Sequence, residues 1–344
     1  MAEKWSKLAM RRFFGRFASL GGATAEVAVE EEKPAEEMEE GSQRVSGVRF
    51  YLSQIWRDKL AFVGLVITGA FLIWAFIEGI MQQVASLTGN NAYGYALLPS
   101  NPVLSGPIIF ANKLLPPSLN FNFLFGSDNN GMSILSQILY AAPHDAEAAI
   151  LVVGLGITVG MFVGIAAGYF GSWVDEVLMR LTDAFLALPG LVLAIAIIVL
   201  MGNNFFALLI ALIIVWWPTY ARFFRSEALT LKNRSFVEAA KLSGVSTKRI
   251  LFRHIFPNAI DPVIAYATLD FGTVILTLSV LAFLGIGLQV NYPEWGAMAS
   301  FGLGQLQTAW WWPIIPGLVI LMVVVGFTLL GDKLQDLVGG RTSY

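Results

Sequence analysis

The chain has no cysteine, so neither a disulfide frame nor thiol chemistry is open to it. Two histidines are too few for a histidine-rich metal site. Charge is scarce: 13% of the 344 residues are Asp, Glu, Lys or Arg, where a soluble domain carries about 25%. No glycine-rich phosphate loop running into Lys and Ser or Thr occurs, so a nucleotide site of that kind is excluded. What is abundant is apolar. Hydrophobic residues make up 56% of the chain, and the mean hydropathy is +0.66. Several apolar runs reach the roughly 20 residues that cross a bilayer.

The first 45 residues stand apart. Lys4, Lys7, Arg11, Arg12 and Arg16 are interleaved with Met10, Phe13, Phe14 and Phe17, a pattern that fits a surface-lying amphipathic helix or a frayed basic tail. No apolar core of signal-peptide length follows. Residues 26–40 hold eight glutamates and little that can pack, which reads as a disordered tether.

Six spans are expected, at about Leu60–Ile80, Ala148–Phe170, Thr182–Met201, Phe205–Arg222, Pro262–Gly287 and Pro313–Leu330. The segment 46–80 thus leads into and contains the first span, and 81–146 is an outer loop rich in Asn, Pro and Ser. Residues 147–335 form a core of five spans with a basic loop at 223–258, and 336–344 form a tail. Of the 22 Lys and Arg residues, 21 fall on one side and only Lys113 on the other. This bias puts both termini in the cytoplasm of a multi-pass cell-membrane protein.

Four local patterns stand out. Gly156, Gly160, Gly164 and Gly168 fall on one helical face and permit close packing, within the chain or against a second subunit. Pro189-Gly190 should kink or interrupt the third span. In the basic loop, Leu229, Phe236, Ala239, Ala240 and Ser243 share a stripe. Gly244 suits a stop, Ser246 a cap for a second short helix through Ile250, Leu251 and His254, and Pro257 its end or bend. Two such helices cannot bury both faces alone. The segment Gly171–Val177 is a second short loop on the same side.

Asp270 is a lone acid inside the fifth span, so it should face the bundle interior or water, as a path-lining group or a structural one. Thr273 and Thr277 share a face near it and can instead bond their own helix backbone. Trp295, Trp310, Trp311 and Trp312 read as an outer-interface belt, and His144 beside Asp145 as a surface loop.

The chain resembles the inner-membrane permease subunits of ABC importers, and within them the C-type permease of dipeptide and oligopeptide systems. The signature is Glu238-Ala-Ala, Gly244 and Ile255-Phe-Pro257, placed before the fifth span. Arg57–Gly64, Phe125-Gly-Ser-Asp128, Ile134–Tyr140, Leu281–Gly287, Pro293-Glu-Trp-Gly296 and Gly331–Asp336 are also similar to that family. The likeness covers about residues 50–340. It departs at Met132-Ser133 and at Ala142-Pro-His144, where the family has Arg-Asp and Gly-Ala-Arg steps.

The resemblance implies an all-α membrane protein with the type I importer permease fold. It implies a second homologous permease, two ABC ATPase subunits, an extracytoplasmic solute-binding protein and surrounding lipid as partners, and no nucleic acid. ATP and Mg would sit on the ATPases, with no cofactor, metal or catalytic group on this chain. Glu238, Ala239, Ala240, Gly244, Ile255 and Pro257 would contact an ATPase, while Asp270, Thr273 and Thr277 are candidates for the transport path. The solute would be a di- or oligopeptide, with oligosaccharide and nickel as alternatives within the family. An ion-coupled secondary transporter or a non-transporting scaffold are the alternatives outside it.

Overall fold

A proline in the middle of a long helix sets the tone of this structure. Helix α3 (Ile134–Phe170) runs through Pro143. Proline has no N–H, so the carbonyl of Leu139, four residues back, loses its helical partner. The indole Nε1–H of Trp74 donates to that oxygen at 2.9 Å instead. Gln82 likewise donates to the Tyr140 carbonyl at 2.9 Å. Both donors come from α2 (Lys59–Thr88), so the repair of one helix docks another.

The computed structural model describes residues 48–100, 112–287 and 294–339. The basic and acidic N-terminal segment, Pro293 and the last five residues lie outside the described residues. A short helix, α1 (Val48–Arg57), precedes α2. Asp58 caps α2 by accepting from the N–H groups of Leu60 and Ala61, and its other oxygen meets Lys333 Nζ at 3.1 Å. Lys333 sits on the last helix, α11 (Trp311–Gly339), so the cap also ties the first span to the last.

Between α3 and α11 run α4 (Ser172–Leu186), α5 (Gly190–Met201), α6 (Phe205–Leu231), α7 (Ser235–Leu242) and α8 (Thr247–Ile250). A single π-type turn, Leu251–Ile255, joins α8 to α9 (Phe256–Phe283), and α10 (Trp295–Gly302) follows. Among the described residues there is no strand, only an isolated bridge between Ser127 and Ser133. Among the described residues five helices are long and apolar enough to cross a membrane: α2, α3, α6, α9 from Pro262, and α11. The pair α4 and α5 makes a sixth span if taken together, bent by 86° at its break. The described residues are thus mostly helical, with the length and apolarity of a multi-pass membrane protein.

The glycine face of α3 packs along α6 within the chain. A β-carbon on Gly164 would lie 2.2 Å from the Ala221 carbonyl oxygen, and one on Gly160 2.4 Å from the Tyr220 β-carbon. One on Gly168 would meet the Arg225 carbonyl oxygen at 2.7 Å. Only glycine permits this approach, which replaces a hydrophobic drive that lipid cannot supply.

Several expectations change on contact with the structure. Helix α3 begins at Ile134, inside the stretch read as loop, because Ser133 caps it and side chains repair its proline. His144 and Asp145 therefore lie within a helix, and Asp145 is fully buried. The third span is interrupted at Pro189-Gly190 as expected, but its first helix starts at Ser172, ten residues before the expected edge at Thr182. The loop around Gly171–Val177 is helical from Ser172 onward. The tryptophans do not form a belt. Trp295, Trp311 and Trp312 are buried, and only Trp310 is exposed. Trp295 Nε1–H donates to the Ile138 carbonyl at 3.0 Å and Trp311 Nε1–H to the Ser127 carbonyl at 3.2 Å, so each is a packing anchor with its polar atom satisfied.

Candidate functional site

The corner between α7 and α8 is built by a glycine. Gly244 has φ 71°, a conformation that a side chain disfavours. Its N–H donates to the Lys241 carbonyl at 3.0 Å, and the Val245 N–H donates to the Ala240 carbonyl at 3.1 Å. Those two bonds are the Schellman termination, and Ala240 and Val245, at the two ends of its longer bond, both pack against the core. Space around Gly244 is open within 4 Å, so its identity is set by backbone angle and not by crowding.

The corner turns a different stripe inward from the one read in the sequence. Val237, Ile250 and Ile255 are buried and Ala240 is half-buried. Phe236, Glu238, Ala239, Leu242, Ser243 and Gly244 are exposed, Leu242 at 90%. Helical phasing marks two apolar flanks here, and the sequence alone does not say which one the chain itself covers. Ser246 occupies the cap position of α8 but makes no side-chain cap bond. Pro257 does not end a helix. It sits in the first turn of α9, where a missing N–H is tolerated, and the chain stays helical from Thr247 to Phe283. Of the six corner residues singled out, Ile255 alone is buried, Ala240 is half-buried, and Glu238, Ala239, Gly244 and Pro257 are exposed.

Ion pairs clamp the same end of the bundle. Arg225 on α6 grips Asp175 on α4 with two bonds, Nε–Oδ1 2.5 Å and Nη2–Oδ2 2.6 Å. Arg222 meets Asp183 at 2.6 Å. Lys232 Nζ donates to the Gly168 carbonyl at the end of α3, at 2.9 Å. The bidentate pair fixes geometry as well as charge.

The break in the third span holds the other candidate region. Ala187, Leu188 and Pro189 separate α4 from α5, as the Pro-Gly step foretold. A cavity of about 450 Å³ opens there, and Asp270 lines it with Phe185, Pro189, Trp216, Thr219 and Tyr266. A second cavity of about 250 Å³ shares Gly190, Val215 and Trp216 with the first and reaches Thr277. Thr277 and Asp270 therefore line adjacent spaces. Thr273 lines neither and is exposed. Both threonine hydroxyls donate to their own helix, Thr273 to the Leu269 carbonyl at 3.3 Å and Thr277 to the Thr273 carbonyl at 2.8 Å.

Sequence reasoning missed a group of buried acids. Glu78, Asp145 and Glu294 are at most 1% exposed. Glu294 caps α10 by accepting from the Ala297 N–H at 2.8 Å, and its other oxygen meets the Ser279 hydroxyl at 3.1 Å. Burial pushes the Glu294 carboxyl up to about 7, against the pull of its backbone and Ser279 bonds. Asp145 is an electrostatic neighbour of Glu294, and neither of its oxygens has a hydrogen-bond partner among the described residues. The only sequence signal was an acid in an apolar run, which for Asp145 and Glu78 sat outside or at the rim of the assigned spans.

Known proteins place this architecture. The sequence profile described as "binding-protein-dependent transport system inner membrane component" matches residues 156–344, more than half the chain. The chain belongs to that family. This inner-membrane component is 37% identical over 292 residues to the dipeptide transport system permease protein DppC of Alkalihalophilus pseudofirmus, covering 85% of this chain and 89% of that one. It is 36% identical over 235 residues to the probable D,D-dipeptide transport system permease protein DdpC of Escherichia coli, covering 67% and 78%. The glutathione transport system permease protein GsiD of Pectobacterium atrosepticum is 36% identical over 211 residues, covering 61% and 70%. Among solved structures, the inward-facing MetNI methionine ABC transporter overlaps 59% of this chain and 96% of its own, at 15% identity and a TM-score of 0.48.

Proposed function

We propose that this chain is the transmembrane permease subunit of an ATP-driven importer of dipeptides or oligopeptides. The observation that carries the reading is the 37% identity to a dipeptide permease across 89% of that relative's length. Its partners are a second, homologous permease, two ABC ATPases that bind ATP and Mg, and an extracytoplasmic solute-binding protein. The chain itself performs no covalent chemistry. The end bearing the basic residues faces the cytoplasm, with both termini there, in keeping with the charge bias.

The geometry suits a lever. The corner at Gly244 presents Phe236, Glu238, Ala239, Leu242 and Ser243 outward, a mixed apolar and acidic surface on a rigid turn. From Thr247 the helical path continues to Asp270, about 35 Å away at 1.5 Å per residue. Movement of an ATPase against the corner is carried along α8 and α9 to the break in the third span. There the α4 half is held to α6 by the Asp175–Arg225 and Asp183–Arg222 pairs, and the α5 half is free to differ in angle from it. Broken spans of this kind line substrate paths in other transporters. Alternating access follows when the two halves exchange between discrete arrangements.

The test is isolation of the complex from its native membrane under mild detergent, with every stoichiometric partner identified by mass spectrometry. The expected result is a second permease and two ATPases. A reproducible assembly without an ATPase would overturn the reading.

A further inference from the structure

The cavity at the break in the third span contains an acid with no cation of its own. Asp270 is 9% exposed, and its Oδ2 has no hydrogen-bond partner among the described residues. No Lys or Arg lines the cavity. The basic side chains one to two turns along α6, Arg222 and Arg225, are already engaged by Asp183 and Asp175. The nearest positive field on the wall is the start of α5 at Gly190, which supplies about half a charge. Against a full carboxylate charge, the space keeps a net negative potential.

Its walls also carry aromatic rings. Trp216 and Tyr266 line the cavity. Tyr266 is held in place by stacking on Phe223 at 5.7 Å and by an edge contact with Tyr220 at 5.8 Å. Ring faces attract cations, Trp most strongly. A carboxylate with one unpartnered oxygen and no cation beside it, flanked by Trp and Tyr, is a site for an organic cation. The volume of about 450 Å³ falls within the range of small-molecule sites. The adjoining space of about 250 Å³, walled by Leu191, Ala194, Leu212, Leu276 and Val280, is apolar and shares Trp216 with it.

We infer that this cavity receives the amino end of the transported peptide: Asp270 is the counter-ion of the ammonium group, Trp216 and Tyr266 flank it, and the adjoining apolar space accepts the neighbouring side chain. The charge of the ligand is inferred from the cavity alone. Its identity as a peptide rests on the importer reading above.

The test uses the complete complex in nanodiscs without its binding protein. The probe is a dipeptide with a diazirine on its first side chain, made with a free amine and, separately, N-acetylated. After irradiation, mass spectrometry locates the label. The free-amine probe should mark the cavity walls at least about tenfold more than the acetylated one, as expected for one charge-assisted contact. Asp270→Asn should abolish that preference and Asp270→Glu should keep it. Equal labelling by both probes, or an unchanged preference in Asp270→Asn, overturns the assignment. Should Asp270→Asn fail to assemble, wild type alone decides. Methylammonium chloride should compete with the free-amine probe while sodium chloride at equal ionic strength does not, and absence of competition again overturns it. ATP-driven uptake of the same dipeptide is measured in parallel. Labelling without uptake would count against the peptide-importer reading while upholding the cation site.

Discussion

Replacing Gly164 with alanine would put a methyl carbon 2.2 Å from the Ala221 carbonyl oxygen, 2.8 Å from the Phe224 β-carbon and 2.9 Å from the Arg225 nitrogen. Two of these three are backbone atoms and cannot rotate away. An ordinary carbon–oxygen contact needs more than 3 Å, so α3 and α6 must separate by about 1 Å over this turn. Overpacking of that kind costs about 1–3 kcal/mol. The same helix supplies its own control. Gly154 has nothing within 4 Å of where its β-carbon would go. Gly154→Ala should stabilise by up to about 1 kcal/mol through helix propensity alone. The propensity gain is common to both variants, identical in chemistry and ten residues apart, so they should differ by the overpacking cost of about 1–3 kcal/mol. Thermal unfolding of the purified protein in one detergent, with both variants side by side, reads this difference. Equal stability would refute the claim that the glycine face is a close contact between α3 and α6 of one chain.

Three further outcomes follow from the same structure. Gly244→Val should insert and assemble normally, since the space is open, but strain the φ 71° corner by about 1–2 kcal/mol. In reconstituted vesicles it should uncouple ATP turnover from transport, and normal coupling would sink the corner's proposed role. Trp74→Phe removes the donor that satisfies the Leu139 carbonyl opposite Pro143 and should destabilise by about 1–3 kcal/mol; a neutral result would mean the proline is accommodated otherwise. Burial raises the Glu294 carboxyl from 4.5 to about 7, so its contribution to stability is full below pH 4.5 and lost as pH rises through about 7. The melting temperature of wild type should fall relative to that of Glu294→Gln across this window, and parallel profiles would contradict the assignment.

Much of this fold is legible in the sequence because membrane spans obey length and hydropathy, and the glycine ladder and the Pro189-Gly190 step each dictate a local geometry. Gly244 is readable for the same reason: a helix that must stop and turn needs a left-handed residue. What is not legible depends on partners distant in sequence. Pro143 argues against a helix until Trp74 is known to serve the freed Leu139 carbonyl. The tryptophans look like a belt until Trp295 and Trp311 are seen to reach backbone oxygens more than 150 residues away. The inward stripe at the corner is set by which flank the rest of the chain covers, and Val237 and Ile250 win over Phe236 and Ser243. No local pattern marks Asp145 and Glu294 as neighbours, since their proximity exists only in the folded bundle.

The candidate path residues are sorted by phase and packing together: Thr277 lies within about 20° of Asp270 around the helix and Thr273 about 60° away, and Asp270 and Thr277 line the two cavities at the break while Thr273 lines neither. The walls opposite them come from the broken span, whose 86° bend no periodicity encodes.

The central claim is that this chain moves a peptide across the membrane only when separate ATPases drive it through the Gly244 corner. The most direct measurement is uptake of a radiolabelled dipeptide by vesicles holding the full complex, with the binding protein outside and ATP or a non-hydrolysable analogue inside. Accumulation with ATP alone, lost with the analogue and lost in Gly244→Val while ATP turnover continues, is the predicted result. Uptake that proceeds without hydrolysis, or that survives the corner variant unchanged, would contradict it.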